Sequence, residues 1–318
     1  MHEPTPTVSV VIPTFNRAAT LGRAIDSVLA QSRPADEIIV VDDGSSDKTT
    51  ELLERYTDLV VLQQANAGVS AARNLGIRHA TSDWIALLDS DDQWLEHKLQ
   101  LQMTAIAGVA DAVLCHCNEN WIRNGKHLNQ ANKHKKHGGW IFKHCLPLCA
   151  ISPSAALIKR SVFDSIGLFD TSLPACEDYD MWLRICSKWP VLYIEEPLLL
   201  KFGGHEDQLS KRYPAMDQYR ISALENILRL GELSAEDHVA ALDTLIHKAK
   251  VYTKGARKRG KLAQAQALEQ RVRDLTGDAK IYHSSEGSSQ QQAGLLANKS
   301  SDHHDPASSV KTCSGITR

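Results

Sequence analysis

The sequence of 318 residues lacks any long uninterrupted apolar run. A membrane-spanning helix needs about 20 predominantly apolar residues, and the apolar runs here are far shorter. The first residues, MHEPTPTVSVVIP, also lack the charged segment and long apolar segment that are typical of a secretory signal. These absences predict a cytoplasmic protein rather than a membrane-spanning or exported one.

The chain also lacks an excess of charge and a disulfide pattern. Its formal net charge is −2, so nothing at the level of the whole chain indicates a nucleic-acid partner. The seven cysteines follow no recognisable disulfide framework. The cysteines between Cys115 and Cys149, together with two histidines, could be drawn as a zinc site, but their spacings match common zinc patterns poorly. Buried free cysteines are the simpler interpretation.

The first hundred residues alternate between two kinds of segment. Short β-branched and apolar runs predict strands at Val8–Pro13, Glu37–Asp42, Leu59–Gln63 and Trp84–Asp89. The segments between them have helical patterns at Leu21–Gln31, Asp47–Tyr56 and Gly68–His79. This alternation predicts an α/β fold with a doubly wound, mostly parallel sheet flanked by helices.

Polar clusters follow three of these predicted strands, where a doubly wound sheet binds its ligands. They are Thr14-Phe15-Asn16, Asp42-Asp43-Gly44-Ser45 and Asp89-Ser90-Asp91-Asp92. A carboxylate at Asp42 or Asp43 can accept a hydrogen bond from a uracil ring N–H or a ribose hydroxyl. Asp47, further along, is better interpreted as a helix cap.

The acidic cluster after the fourth strand indicates a cation. Asp89 and Asp91 are two residues apart, so at an extended strand end they point to one face and can converge on one ligand. Mg²⁺ or Mn²⁺ prefers oxygen ligands and often shares them with substrate phosphates. A calcium loop is excluded, because Gln93 and Trp94 stand where that pattern needs Asp or Asn and then Gly. Helix capping alone would need only one acid.

The order and spacing of four stretches, VSVVIPTFNR, EIIVVDDGSSDKT, NAGVSAARNLGIRHA and WIALLDSDD, closely resemble those of family-2 glycosyltransferases with the GT-A fold. The resemblance covers about Val8 to Ser210. It implies an inverting enzyme that transfers a sugar from a nucleotide-diphosphate donor, most simply a UDP-sugar, with Mn²⁺ or Mg²⁺. The acceptor would be a hydroxyl of a glycan or a lipid-linked glycan, by family habit in a cell-surface polysaccharide.

The resemblance also implies roles for individual residues on the donor side. The implied contacts to base and ribose are Pro13, Thr14, Asp42 and Asp43, followed by Asn66, Gly68 and Arg73 of the NAGVSAARN segment. Arg73 would lie against the base or the diphosphate, where a guanidinium suits either; the alternative is a surface arginine. Within the D-x-D motif, Asp89 would hold ribose and contribute to the metal site, Asp91 would bind the metal, and Asp92 would support it.

On the acceptor side, 176-CEDYDMWLRI-185 resembles the family's Glu-Asp signature. An inverting transfer needs one base opposite the leaving diphosphate. The resemblance implies that Asp178 is this base and that Glu177 assists in binding acceptor or donor sugar; capping of the helix is the alternative. His205 either touches the metal or diphosphate or is a structural hydrogen-bonding residue. The Gln-x-x-Arg-Trp motif of processive members is missing, which predicts addition of one sugar at a time.

The predicted catalytic domain covers residues 1–212, with a nucleotide-binding half at about 1–110 and an acceptor half at about 111–212. Here Ala112–Cys117 and Ser154–Lys159 have strand patterns, and Asn118–Gly139 is expected to be a polar loop. Its cluster 133-KHKKHGG-139 could contact the phosphates of a lipid-linked acceptor or be merely solvated.

A helical region is expected at 213–280 and a disordered tail at 281–318. The basic stretch Lys248–Lys261 suits peripheral contact with the inner face of a membrane, or is a solvated helix face.

Two other functions compete with glycosyl transfer. A sugar-phosphate nucleotidyltransferase would carry a glycine-rich basic loop after the first strand, but the chain has no glycine there until Gly22. A non-catalytic module that binds nucleotide sugars would share the donor residues and would not depend on Asp178.

Overall fold

The polypeptide is described by a computed structural model, whose described residues are 5–204, 213 and 215–277. Within these residues, nine strands form one sheet. They are β1 (Val8–Thr14), β2 (Glu37–Asp42), β3 (Val60–Gln63), β4 (Trp84–Leu87), β5 (Gln93–Trp94), β6 (Leu114–Arg123), β7 (Lys126–Leu128), β8 (Leu157–Lys159) and β9 (Leu192–Gly203). The order across the sheet is β3-β2-β1-β4-β8-β6-β9-β5, and β7 pairs with β6.

Helices cover the sheet and extend the chain beyond it. They are α1 (Leu21–Leu29), α2 (Thr49–Leu53), α3 (Val69–His79), α4 (Lys98–Ala107), α5 (Phe142–Cys145), α6 (Ser161–Ile166), α7 (Glu177–Cys186), α8 (Asp217–Leu230), α9 (Ala235–Lys258) and α10 (Leu262–Thr276). Short 3₁₀ helices lie at Asn132–His134 and Pro153–Ala155. The described residues up to Leu275 pack as one unit.

The first half of the sheet confirms the predicted α/β alternation. Strands β1, β2, β3 and β4 are parallel to one another, and β1 is buried along its whole length. Thr14 pairs in register with Asp42, so the polar ends of β1 and β2 lie side by side. The continuous β-branched runs are explained by burial of both faces of these strands.

The second half of the sheet corrects two expectations. Strand β4 pairs antiparallel with β8, and β8 with β6, so the sheet as a whole is mixed rather than mostly parallel. The expected polar loop at 118–139 is wrong in its first part. Strand β6 continues to Arg123 and returns as β7 through a turn at Asn124 and Gly125, which both have positive φ. Asn-Gly is the residue pair that such tight hairpins favour.

Helix α3 packs unusually close to the sheet because one of its residues is glycine. A Cβ atom at Gly76 would lie 2.5 Å from Cγ1 of Val11 and 3.2 Å from Cγ2 of Val41. Helix α3 therefore lies directly against β1 and β2, and Arg73, one turn earlier, is buried and reaches Asp89 after β4. The approach of α3 to the sheet thus positions a site residue.

The C-terminal helices pack on the acceptor half, with α8 against α7 and α9 against α5 and α8. Lys248, expected to belong to a surface stretch, is instead buried: its Nζ donates to Pro147 O at 2.9 Å and to Asp217 Oδ1 at 3.1 Å. No helix among the described residues is long and apolar enough to span a membrane. The predicted tail lies outside the described residues.

Candidate active site

The ends of β1 and β2 form one wall of a polar edge with the residues that follow them. Asp43 N–H donates to Thr14 O at 2.9 Å. The Asp43 carboxylate accepts from Ala67 N–H at 2.9 Å and from Gly68 N–H at 2.8 Å, and the Asn66 side chain donates to Asp43 O at 3.0 Å. Asp43 therefore shapes the segment that leads into α3. Its predicted contact with a base stays a prediction.

Two hydroxyls at this edge are buried without a hydrogen-bond partner among the described residues. These are Oγ1 of Thr14, at the end of β1, and Oγ of Ser70, in the first turn of α3. Asp42, beside Thr14, uses Oδ1 to accept from Ser45 N–H at 2.9 Å. Because buried polar groups normally have partners, the free hydroxyls mark a place where a polar ligand would fit.

The three carboxylates after β4 have different surroundings. Asp92 is buried, and its carboxylate accepts from Ser154 Oγ–H at 2.6 Å and from Phe202 N–H at 3.0 Å. Burial, with repulsion from Asp91, raises the pKa of Asp92. Asp92 thus anchors the D-x-D segment to β9, while Asp89 is more exposed. The carbonyl of Asp91 accepts from Arg23 Nη2 at 2.5 Å.

Arg73 connects the two halves of the site. Its Nη2 donates to Asp89 Oδ1 at 2.6 Å and its Nη1 donates to Glu177 Oε1 at 2.7 Å. The Arg73 guanidinium is buried and also lies 5.3 Å from the centre of the Phe169 ring. The sequence predicted that Arg73 contacts a nucleotide. In the structure, the Arg73 guanidinium instead binds two carboxylates of the protein. Its position on the nucleotide side stays a prediction.

Glu177 and Asp178 begin α7, directly after a residue in an unusual conformation. Cys176 has φ of 63°, a left-handed value that is uncommon outside glycine. Glu177 faces inward and is buried, whereas Asp178 is half-buried. Burial, with repulsion from Asp178, raises the pKa of Glu177 to about 6 against the opposing effect of Arg73. The two acids thus differ in burial although they are neighbours in the chain.

Asp178 is held from two sides. Its Oδ1 accepts from the N–H of Tyr179 at 2.7 Å, and its Oδ2 accepts from the Cys149 thiol at 3.1 Å. Burial, with the Asp178 charge beside it, raises the pKa of Cys149 well above its ordinary value. The thiol therefore stays protonated and remains a donor. An oriented, partly accessible carboxylate is the geometry that a general base needs.

Two residues near the site were not predicted from the sequence. Lys201, on β9, donates to Ser152 Oγ at 2.7 Å. Burial would lower the pKa of Lys201, but the charges of Glu119, Asp92 and Asp89 outweigh burial and raise it. The one available signal was a charged residue in the apolar run Pro197–Phe202. Cys149 offered no comparable signal, because its partner lies 29 residues away.

The remaining predicted residues can be placed more briefly. Pro13 lies on β1, paired in register with Val41. His205 lies outside the described residues. Cys115, Cys117 and Cys145 are buried free cysteines, and no three His, Cys, Asp or Glu side chains in the described part of the chain form a group that could hold a metal. The zinc interpretation thus gains no support.

The absence of a closed metal cluster within residues 5–204, 213 and 215–277 bears on the predicted cation. Mg²⁺ is commonly bound through one or two carboxylates together with substrate phosphates, rather than by a cage of protein ligands. Asp91 and Asp89 are the predicted pair. The residues present fit a cation that shares its ligands with a diphosphate, with Asp92 in a supporting position.

Residues 9–167 match the family model described as glycosyl transferase family 2. An uncharacterized glycosyltransferase of Rickettsia typhi is 32% identical over 212 residues, which cover 64% of this chain and 65% of the relative. The match thus spans just under two thirds of that relative. A putative teichuronic acid biosynthesis glycosyltransferase of Bacillus subtilis, TuaG, is 39% identical over 103 residues, or 31% of this chain and 41% of TuaG.

Among solved structures, residues 1–349 of TarS from S. aureus, in complex with UDP-GlcNAc, superimpose with a TM-score of 0.68. The sequences are 18% identical, and the match covers 90% of this chain and 92% of the TarS chain. At this identity the likeness shows the fold, which is GT-A: a mixed sheet flanked by helices.

Proposed function

The chain belongs to glycosyl transferase family 2, and on that premise we propose that it moves one sugar at a time from a UDP-sugar to a hydroxyl of a glycan or lipid-linked acceptor. The transfer is inverting and uses Mn²⁺ or Mg²⁺. One observation carries the proposal: Arg73 contacts both Asp89 of the D-x-D segment and Glu177, the neighbour of the predicted base Asp178, which supports assigning these residues to one site.

The donor half provides hydrogen bonds for base and ribose. Thr14 and Ser70 offer buried hydroxyls without partners among the described residues, and Asp42 lies beside Thr14. UDP as the nucleotide is supported by the TarS structure of the same fold, which was solved with UDP-GlcNAc. A neutral hydroxyl and a carboxylate next to each other suit the alternating donors and acceptors of a uracil ring and its ribose.

Asp91 and Asp89 would hold the divalent cation. When bound, such an ion supplies positive charge that stabilises the departing diphosphate. Arg73 holds Asp89 in place through a hydrogen bond of 2.6 Å. Asp92 fixes the same segment to Ser154 and to the backbone of Phe202.

Asp178 acts as the base of a single displacement. Its carboxylate takes the proton of the acceptor hydroxyl as that oxygen bonds to the anomeric carbon, and the bond from this carbon to the diphosphate oxygen breaks. Attack opposite the leaving group inverts the anomeric configuration, and UDP leaves with the bonding electrons. Cys149 and the Tyr179 N–H orient the carboxylate, while Glu177 positions the start of α7 through Arg73.

The acceptor class is supported by a relative. TuaG is named for teichuronic acid biosynthesis, and a cell-surface polysaccharide would present the hydroxyl that this reaction needs. The absence of the Gln-x-x-Arg-Trp motif favours addition of single sugars.

Calorimetric binding of UDP, GDP, CDP and dTDP tests the donor site, with Mn²⁺ or with EDTA. We expect the wild type to bind UDP in the presence of Mn²⁺. Binding should be lost when EDTA replaces Mn²⁺, and in the variant Asp91→Ala. Asp111→Ala, an exposed aspartate outside the site, is the matched control and should bind as wild type does. Failure of all four nucleotides to bind under every metal condition would reject the donor proposal.

Turnover separates the enzyme from a non-catalytic module. Release of UDP from UDP-sugars should occur in the wild type and be lost in Asp178→Asn, with UDP binding retained. A module without activity would show no release in either protein. A nucleotidyltransferase would instead release pyrophosphate from a nucleoside triphosphate and a sugar phosphate.

A further inference from the structure

A polar cleft of about 320 Å³ lies beside the site, between the β6–β7 hairpin, the start of β9 and residues 129–136. We propose that this cleft is a carbohydrate-binding subsite, which holds a neutral sugar of the acceptor glycan distant from the reacting hydroxyl. The inference rests on the proposed function, because it names where that acceptor binds. The volume is near the lower end of about 300–1,000 Å³ that is typical of small-molecule sites.

The lining has the composition that sugar recognition requires. Its half-buried and exposed side chains include Asn118, Asn120, Trp121, Gln130, Tyr193 and Glu195. Side-chain amides both donate and accept, as the hydroxyl groups of a sugar do. Aromatic rings offer flat apolar faces on which the C–H face of a pyranose can lie, with a polar edge beside them.

One lining group is a buried acceptor without a full set of partners. Glu119 uses Oε1 to accept from Trp121 Nε1 at 2.7 Å and from Ser152 Oγ at 3.0 Å. Glu119 is only 3% exposed, and its Oε2 is buried without a hydrogen-bond partner among the described residues. A sugar hydroxyl in the cleft would donate to this oxygen and satisfy it.

The charge balance of the cleft favours a neutral ligand over a phosphate. Lys136, from the cluster that could have contacted lipid-linked phosphates, is buried and lies 3.3 Å from Glu119 Oε1. Its Nζ also donates to Ala150 O at 3.3 Å. The lining contains two carboxylates, Glu119 and Glu195, and two lysines, Lys135 and Lys136, whose formal charges cancel. No net positive charge is left for an anion.

The segment Cys149–Ser152 connects the cleft to the predicted base. At one end, the Cys149 thiol donates to Asp178. At the other end, Ser152 donates to Glu119, which lines the cleft. A glycan whose terminal hydroxyl reaches Asp178 would therefore place an earlier sugar within reach of Trp121 and Glu119.

The burial of Glu119 has a local cause in the sheet. The register between β6 and β9 shifts on both sides of Asn118, opposite Pro197. Such irregularities re-aim side chains and often occur beside active sites. Here the shift leaves Glu119 buried against Ser152 and Trp121 rather than on an open strand face.

Saturation-transfer NMR on the whole chain tests the subsite directly. The probes are neutral tri- and tetrasaccharides of hexoses, N-acetylhexosamines and 6-deoxyhexoses, with UDP and the diamagnetic ion Mg²⁺ present. We expect at least one probe to bind the wild type, and its Kd to rise about tenfold or more in Trp121→Ala. Trp140→Ala, which removes an exposed tryptophan outside the cleft lining, should bind as wild type does.

Two further variants keep the test valid if Trp121→Ala does not fold. Trp121→Phe keeps a ring, so it should retain most of the binding. Glu195→Gln changes only the exposed rim and should weaken binding severalfold. Thermal unfolding of each variant shows which are folded. Equal binding by wild type and every folded cleft variant, or no binding of any probe by the wild type, would overturn the subsite.

The two measurements distinguish failure of the subsite from failure of the proposed function. Oligosaccharide binding that depends on Trp121, without release of UDP from any UDP-sugar, would support the subsite and count against the enzyme. UDP-sugar turnover with an acceptor KM that is unchanged in the cleft variants would support the enzyme and reject the subsite.

Discussion

Arg73 and Glu177 are 104 residues apart in the chain, yet a hydrogen bond of 2.7 Å joins Nη1 of the arginine to Oε1 of the glutamate. The second terminal nitrogen of Arg73 binds Asp89 of the D-x-D segment. A planar guanidinium is suited to this task because its donors point in fixed directions. The position of the D-x-D segment relative to the start of α7 therefore depends on one buried side chain, that of Arg73.

Replacement of Arg73 by alanine should impair both stability and activity. The change leaves Glu177 buried without its charge partner, and breaking a buried pair in this way costs about 3–5 kcal/mol. Release of UDP should fall about 100-fold, since misplacement of site residues by about 1 Å has effects of this size. Chemical denaturation and kcat/KM for the UDP-sugar measure the two effects.

Arg78→Ala is the matched control, because Arg78 lies on the same helix α3 but is exposed. It should change the free energy of unfolding by less than about 0.5 kcal/mol. Arg73→Lys should fall between wild type and Arg73→Ala, because one ammonium cannot reproduce both directed bonds. If Arg73→Ala keeps full turnover, the connecting role is wrong.

The pH dependence of activity should include a group with a pKa of about 6, that of Glu177. As the pH falls through this value, Glu177 is protonated and loses its charge pairing with Arg73, so kcat/KM should decline. A pH profile between 5 and 8 measures this limb. In Glu177→Gln this decline of kcat/KM near pH 6 should disappear. If the decline persists in the variant, it belongs to another titrating group.

Stability should respond to the same group with the opposite sign. The folded-state pKa of Glu177 lies above its ordinary value of 4.5, so the folded chain binds this proton more tightly than the unfolded chain does. The contribution of Glu177 to the free energy of unfolding is therefore largest below pH 4.5 and is lost as the pH rises through about 6. Urea denaturation of wild type and Glu177→Gln across this range measures the difference.

Loss of the Cys149 thiol should lower the kcat of the step that uses the base Asp178, without changing the binding of the UDP-sugar. Cys149→Ala removes the hydrogen bond to Asp178, whose loss corresponds to about 1 kcal/mol, or about fivefold in kcat. The KM for the UDP-sugar should stay unchanged. Cys149→Ser restores a donor and should recover most of the rate. Equal rates in the alanine and serine variants would mean that packing, not the hydrogen bond, matters.

Gly76→Ala should destabilise the fold by about 1–3 kcal/mol, as overpacking of a core does. The added Cβ would meet Val11 Cγ1 at 2.5 Å and push α3 away from β1. Gly108→Ala is the control, since its Cβ would meet only Ala105 O at 3.6 Å and its φ of −80° suits alanine. Guanidinium unfolding of both variants gives the comparison, and equal midpoints would contradict the steric explanation.

The sequence predicts the first half of the fold well for a physical reason. Buried parallel strands must be apolar on both faces, so β1 and β2 are visible as continuous β-branched runs. Strand β5 has only two residues, too few for any periodicity. The continuation of β6 was hidden because Asn118, Glu119 and Asn120 are polar, although Asn124-Gly125 is a hairpin signal that could have been used.

The candidate site was predictable only in part. Carboxylates at strand ends can be found from sequence, because the position of a strand end determines where its last side chains lie. The partners of these carboxylates cannot be found from sequence, because Arg73, Glu177 and Asp89 meet only through the packing of α3 and α7 against the sheet. Likewise, nothing local links Lys201 to Ser152, or Cys149 to Asp178.

The Arg73 guanidinium that Asp89 and Glu177 share also has an evolutionary consequence. A substitution at either acid changes the charge balance experienced by the other, because both depend on the same guanidinium. Among homologous sequences, positions 89, 73 and 177 are therefore expected to change together or not at all. Variation would be freer at residues 129–136, whose side chains do not set this balance. An alignment that shows correlated substitution at these three positions would reveal the arrangement without any structure.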